Sequence, residues 1–347
     1  MKATSGNLGP IPYILQTSLE KLDIEMVLPL PSNSLSSKLG IKNLKPELCH
    51  PLKILLGNYL SVIGKKPEKV IFYDGCDLCN LSCVHNVFLE IFAEKNWRPE
   101  PVFLNIAKKE LFIKDYYCIL KKISGKSSLK VINSMILGLK KLFLFDYLDR
   151  VFYLIRPVIK DYNTGEKFYN ELYTEIISSK SLAEYKKIRN KINKLLQKFS
   201  PDYSLPHIGL FGDPYSLYEP FSHQYTDRKL GYLGVITDRW FDNPLIKRKE
   251  KNLFKIQNIL KNNYGVLTFK EFKKLNVYIR KSYEGLVFIA PFTCNPNDAL
   301  RNQLSVIQEK TGIPILSLSF DEHTSPTGIE TRLEAFVDLI KRKTRVK

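Results

Sequence analysis

Cysteine is scarce in this chain, with 6 residues among 347, too few and too unevenly spaced for a disulfide scaffold. Long apolar runs are missing as well. The most apolar central stretch, Val131 to Phe145, is broken by Asn133, Ser134, Lys140 and Lys141, so a membrane span of about 20 residues is not expected. The opening residues hold no continuous apolar core ahead of a small-residue cleavage site, because Glu20, Lys21 and Asp23 interrupt it, and a secretory signal is not expected. A reducing, cytoplasmic setting follows as the expectation. Nucleotide loops are absent too. No Gly-x4-Gly-Lys-Ser/Thr segment occurs, and Gly209-Leu210-Phe211-Gly212-Asp213-Pro214 lacks the third glycine of a dinucleotide fingerprint.

What is present is enough apolar material for more than one core: 44% hydrophobic and 12% aromatic residues. The formal charge of +18 would favour nucleic acid, an acidic partner or the phosphates of a coenzyme. It is spread over many lysine-rich helices without a compact patch, which makes nucleic-acid binding the weaker use of it.

The apolar pattern alternates between strand and helix at both ends of the chain. The first segment reads as helix Tyr13–Leu22, strand Asp23–Pro29, helix Leu52–Ile63, strand Lys69–Asp74, helix Ser82–Lys95 and strand Pro101–Asn105. Residues 111 to 200 carry helical spacing without a convincing strand, and Ser200 to Pro206 reads as a linker. Strand His207–Phe211 follows, then helices at Tyr218–Leu230, Leu253–Leu260 and Phe269–Lys274. The last part reads as strand Leu286–Ala290, helix Pro296–Lys310, strand Ile313–Phe320 and helix Gly328–Lys341. The expected fold is α/β, with parallel-sheet domains over residues 1–110 and 201–347 and a helical region over 111–200.

The cysteines fall where such sheets bind ligands. Gly75-Cys76-Asp77-Leu78-Cys79 leaves the carboxyl end of one buried-looking strand, and Pro291-Phe292-Thr293-Cys294 leaves that of another. Cys49 precedes His50-Pro51 and Cys294 precedes Asn295-Pro296, so each stands before a helix opened by proline, with Asn295 as a good N-cap. Unpaired N–H groups at a helix start favour the thiolate that ligates a metal. A Cys-x-x-Cys pair also serves zinc and thiol redox sites. Cys83 and His85 could complete a zinc site with Cys76 and Cys79, and Cys83 reads equally as a fifth thiolate or as helix surface. Cys118, in an apolar helical context, reads as a small core residue.

Longer segments carry a resemblance. Pro46-Glu47-Leu48-Cys49-His50-Pro51-Leu52, the Gly75–Cys79 turn, Ala290-Pro291-Phe292-Thr293-Cys294, Asp321-Glu322-His323-Thr324 and Thr331-Arg332-Leu333-Glu334-Ala335-Phe336 resemble the acyl-CoA dehydratase activase-related proteins, relatives of 2-hydroxyacyl-CoA dehydratase subunits. The resemblance implies two Rossmann-like domains and an iron–sulfur cluster, 4Fe-4S or larger, held by Cys49, Cys76, Cys79 and Cys294. It also implies low-potential electrons supplied by a separate ATP-hydrolysing activase and passed to an acyl-CoA or other acceptor, and it allows a homo- or heterodimer. The chain departs from that pattern at Asp77-Leu78 and Asn80, where a Gly-Pro-Cys-Arg order would place a cation. It departs again at Asn276 to Lys281, where a Gly- and His-rich segment is expected.

Glu322, His323 and Arg332 are the candidate catalytic residues. Their bland readings are a Thr327–Glu330 capping box for the last helix and a structural ion pair for Arg332. Among the histidines, His50 and His85 lie beside cysteines and are candidate ligands. His207, His223 and His323 default to surface or satisfied core positions.

Overall fold

The computed structural model describes residues 1–75, 79–106, 109–239 and 274–345. Two sheets of four parallel strands organise it. The first contains β1 (Lys2–Ser5), β2 (Glu25–Met26), β3 (Lys69–Asp74) and β4 (Glu100–Asn105), in the order β2-β1-β3-β4. The second contains β5 (His207–Gly212), β6 (Ile236–Arg239), β7 (Gly285–Pro291) and β8 (Ile315–Phe320), in the order β6-β5-β7-β8. Each is a Rossmann-like α/β sheet, and the two share one relative strand order.

The central strands read as unbroken apolar runs because helices cover both faces. In β7 every residue is buried. Its alternate side chains enter different cores: Val287 and Ile289 join Leu210, Leu333 and Ile340 on one face, while Leu286, Phe288 and Ala290 join Tyr278 and Leu300 on the other. β1 buries the small residues Ala3, Thr4 and Ser5, and Thr4 satisfies its hydroxyl by donating to the Val27 carbonyl at 2.7 Å.

Around the first sheet lie α1 (Ile11–Glu20), α2 (Ser34–Asn43), α3 (His50–Ser61) and α4 (Val84–Glu94). The helical layer follows as α5 (Lys109–Ser124), α6 (Ser128–Ile159), α7 (Tyr162–Ser178) and α8 (Leu182–Lys198). At about 1.5 Å per residue, the 32-residue α6 is long enough to touch both halves. It packs on α1 and α5 at one end and on β6 at the other.

The second domain adds α9 (Pro214–Tyr218), α10 (Thr226–Tyr232), α11 (274–280), α12 (Asn295–Arg301), α13 (Leu304–Thr311) and α14 (Pro326–Arg345). Glu166 of α7 binds it to the helical layer, accepting from Arg156 Nε at 2.8 Å and Arg228 Nη1 at 2.6 Å. Arg239 reaches Asp149 at 2.9 Å. Such buried pairs fix geometry more than they add net stability.

Several expectations are corrected. The strand expected over Asp23–Pro29 shrinks to β2. Pro220 cannot continue a helix, so the one expected over Tyr218–Leu230 becomes α9, a 3-10 turn at Pro220–His223 and α10. The helix expected over Pro296–Lys310 divides into α12 and α13 at Asn302-Gln303. β1, α2 and β6 were not anticipated. The helix expected over Leu253–Leu260 lies outside the described residues, as does Phe269–Lys274 up to Lys274 itself. Among the described residues no helix is long and apolar enough to cross a membrane.

Candidate metal centre

Chain winding reverses between β1 and β3 in the first sheet and between β5 and β7 in the second. Ligands of open α/β sheets lie beyond the carboxyl strand ends at such points. Gly75 and Cys79 leave β3 there, Gly212 and Asp213 leave β5, and Phe292 to Cys294 leave β7.

Each described candidate ligand stands at the N-cap position of a helical turn, with its side chain making no capping hydrogen bond. Cys49 caps α3, Cys79 caps the 3-10 turn Asn80–Ser82, and Cys294 caps α12, with a proline in the first two positions of α3 and α12. Proline fits there because its missing N–H is one the helix start leaves unpaired. The turn after β3 is close-packed at Gly75. A Cβ at Gly75 would lie 3.3 Å from the Cys79 Cβ, a close contact that a shift of a few tenths of an ångström relieves, and 3.6 Å from its sulfur, an ordinary one.

Thiols of the two domains lie within electrostatic range of one another. Cys79 acts electrostatically on Cys49, Cys49 acts on Cys294, and Asp213 acts on both Cys49 and Cys294. Cys294 is buried, whereas Cys49 and Cys79 are half-buried. Burial first, and the Asp213 charge second, push the Cys49 thiol up to about 12. The same two causes, in the same order, carry Cys294 far above the ordinary thiol range, although Asn297 opposes them. The Asn297 side-chain N–H donates to the Cys294 sulfur at 3.2 Å. Without a metal these thiols hold their protons; a bound cation inverts that preference, because a coordinating thiol is deprotonated.

Among the described residues no three His, Cys, Asp or Glu side chains clasp one point closely enough to hold a single ion. Cys76 lies outside the described residues. Thiolates are the donors a polynuclear iron–sulfur core takes, each binding its own iron atom. The donor set is compatible with such a group.

The other candidates divide. Glu322, in the turn after β8, crosses to α3 and meets Lys53 Nζ at 2.5 Å and His50 Nδ1 at 3.7 Å. Burial holds the His50 imidazole below its usual range, although Glu322 pulls the other way. His323 is exposed, and its backbone N–H donates to Asp321 Oδ1 at 2.9 Å. Arg332 donates to the Ser317 carbonyl at 2.6 Å and not to a carboxylate. The last helix opens two residues earlier than the capping box expects, with Gly328 N–H directed at Ser325 Oγ at 3.5 Å.

Cys83 is exposed, caps α4 and donates to the Asn80 carbonyl at 3.4 Å. His85 packs its ring edge-on against Phe103 at 4.8 Å. Cys118 is exposed, which corrects its reading as a core residue; it lies on the solvent side of α5, whose apolar face buries Tyr116, Ile119 and Leu120. A cavity of about 300 Å³, lined in part by Pro314, Ile315 and Phe336, opens at the amino end of β8, away from the cysteines.

Asp213, Asn297 and Lys53 were not singled out from the sequence. The signal for Asp213 was present: Asp213-Pro214 after a strand has the grammar of a cap followed by proline, as at Cys49 and Cys294.

No known family profile matches the chain, and no curated protein matches it.

Proposed function

We propose that the chain holds an iron–sulfur cluster on Cys49, Cys76, Cys79 and Cys294 and carries low-potential electrons, as a relative of the 2-hydroxyacyl-CoA dehydratase components. One observation supports the reading: Cys49 and Cys294 hold the N-cap positions of proline-opened helices in the two domains, within electrostatic range of each other.

A bound cluster would supply one-electron redox chemistry at a potential tuned by charge, hydrogen bonds and solvent exposure. The chain's own groups address each of these. Helix-start amides beside Cys49 and Cys294 favour thiolate, the Asn297 amide hydrogen-bonds the Cys294 sulfur, and burial of Cys294 limits water. The Lys53–Glu322 pair joins the two walls one helical turn from Cys49.

With no P-loop in the sequence, ATP-driven reduction belongs to a separate activase, and an acyl-CoA is the proposed acceptor. A reducing cytoplasm fits cysteines held for metal or redox chemistry. Asn80, where the resembling proteins tend to place a cation, would alter either the potential or the docking of that activase.

Anaerobic purification tests the proposal. Iron and acid-labile sulfide should accompany the protein, and its visible absorption should disappear in Cys76→Ser and in Cys294→Ser. Stoichiometric zinc without iron would contradict it and favour a zinc-stapled interaction protein.

A further inference from the structure

We infer that the outward face of α6, near its amino end, is a docking site for an acidic amphipathic helix of a partner protein. The inference is independent of the proposed metal centre.

Packing fixes which side of α6 faces outward. The Ser18 hydroxyl of α1 donates to the Ser134 carbonyl at 2.9 Å. A Cβ on Gly138 would lie 2.9 Å from the Ile14 carbonyl oxygen of α1 and still closer to the Tyr116 hydroxyl of α5. Ser134 and Gly138, one turn apart and in line with the buried Val131, therefore face α1 and α5. Leu129, Ile132 and Ile136 point away from that line and are 71%, 40% and 43% exposed. Spaced by three and four residues, they form one stripe along the helix.

The fold does not account for this stripe. A solvent face is ordinarily polar, and a helix that is apolar on every side is ordinarily covered on every side. The stripe follows the a and d spacing that a second helix takes as its seam. A membrane surface asks for a broader apolar face with aromatic side chains in it, and Ser128 to Lys140 contain no aromatic residue.

Charge selects the partner. The 30 residues from Tyr116 to Phe145 hold six lysines and no aspartate or glutamate. Four of the six are engaged within the chain. Lys121 donates to the Lys126 carbonyl at 2.7 Å, Lys122 pairs with Glu100 at 2.9 Å and Lys126 with Asp23 at 2.7 Å, while buried Lys141 donates to the Ile177 carbonyl at 2.8 Å. Lys130 and Lys140 stand exposed, one beside Leu129 and the other one turn beyond Ile136. Two copies of this chain meeting through the stripe would set these lysines against each other with no acid between them. A partner helix with apolar a and d positions and acidic e and g positions satisfies both the seam and its flanks, and the net charge of +18 attracts it.

The probe is a labelled synthetic amphipathic helix with leucine at a and d and glutamate at e and g, long enough to span Leu129 to Lys140. Fluorescence anisotropy with the full chain at low salt should show binding, and the same peptide with lysine at e and g should show none. Ile136→Glu and Lys130→Glu should each weaken binding by about tenfold or more, whereas Leu35→Glu, at an exposed position of α2, should leave it unchanged. No binding of the glutamate peptide, equal binding of the two peptides, or affinity unmoved in both α6 variants would overturn the inference. Should Ile136→Glu fail to fold, an unmoved affinity in Lys130→Glu overturns it alone. A dimer in sedimentation velocity that Ile136→Glu abolishes would overturn it in favour of a second copy of this chain. Cosedimentation with phosphatidylglycerol vesicles that the same substitution abolishes would overturn it in favour of a membrane surface.

Discussion

Lys53 and Glu322, far apart in sequence, close the first α/β domain against the second at 2.5 Å, with Lys53 1% exposed and also donating to the Pro46 carbonyl. Burial opposes the Glu322 charge, but the Lys53 hydrogen bond and charge outweigh it and hold the carboxyl below its usual range. Glu322→Gln leaves the ammonium buried without its counter-charge. A loss of about 3 kcal/mol is expected in urea unfolding. Because the folded carboxyl titrates low, the stabilisation is complete above the ordinary glutamate value of about 4.3 and fades as pH falls through the lower folded value. A variant equal to the unaltered protein at pH 7 would show that the pair does not clasp the domains.

Two buried groups four residues apart are expected to give opposite pH dependence. Burial raises Glu219 to about 7, despite hydrogen bonds from the Gly9 N–H and the Ser32 hydroxyl. Folded protein keeps that proton where unfolded chain has lost it, so the stability owed to Glu219 is present below about pH 4.3 and lost as pH rises to about 7. Burial lowers His223 to about 4, with Asp227 opposing the shift and Arg239 and Arg228 adding to it. Here the unfolded chain takes the proton first, and stability is lost as pH falls from about 6.5 towards 4. Each effect is worth about 3 kcal/mol and the two largely cancel. Relative to the unaltered chain, Glu219→Gln should gain stability between pH 5 and pH 8. His223→Asn, which keeps an acceptor for Thr226 N–H, should gain it between pH 7 and pH 4.5. Differences that do not vary with pH would exclude these roles.

Placement of Cys49 depends on backbone contact between α2 and α3. A Cβ on Gly40 would fall 1.6 Å from the Lys53 carbonyl oxygen, and one on Gly57 would fall 1.7 Å from that of Ser36. Gly57→Ala must push the helices apart, and a loss of about 3 kcal/mol is expected in urea unfolding. Metal binding should weaken with it, because α3 carries Cys49 as its cap. Unchanged stability would mean that α2 does not brace α3.

Thiol exposure gives a simpler check. Cys83 and Cys118 are exposed and Cys294 is buried. In native, metal-free protein a maleimide should label the first two roughly tenfold faster or more than Cys294, with mass mapping of the labelled peptides as the readout. Rapid labelling of Cys294 would contradict its burial.

Much of this architecture is readable from the sequence where burial on both faces leaves unbroken apolar runs. Lys69–Asp74, His207–Phe211 and Leu286–Ala290 are such runs, and they became β3, β5 and β7. β1 is hidden because Ala3, Thr4 and Ser5 are small and polar, and their burial depends on neighbours distant in sequence. α2 is hidden because Ser34–Asn43 has little apolar stripe and is held by Asn33 capping and the Gly40 contact. Cysteine caps were legible because proline marks helix starts locally. Lys53–Glu322 was not, since partners this far apart become neighbours only once both sheets are built. Asp213 escaped attention because its glycine-rich strand end was weighed only as a failed nucleotide loop.

The most direct measurement is iron-edge anomalous diffraction from crystals grown without oxygen. If Cys49, Cys79 and Cys294 share one centre with Cys76, an anomalous peak should lie in the crevice between α3, the turn after β3 and the start of α12. Iron bound elsewhere, or a crevice without anomalous signal in protein shown to contain iron, would contradict it.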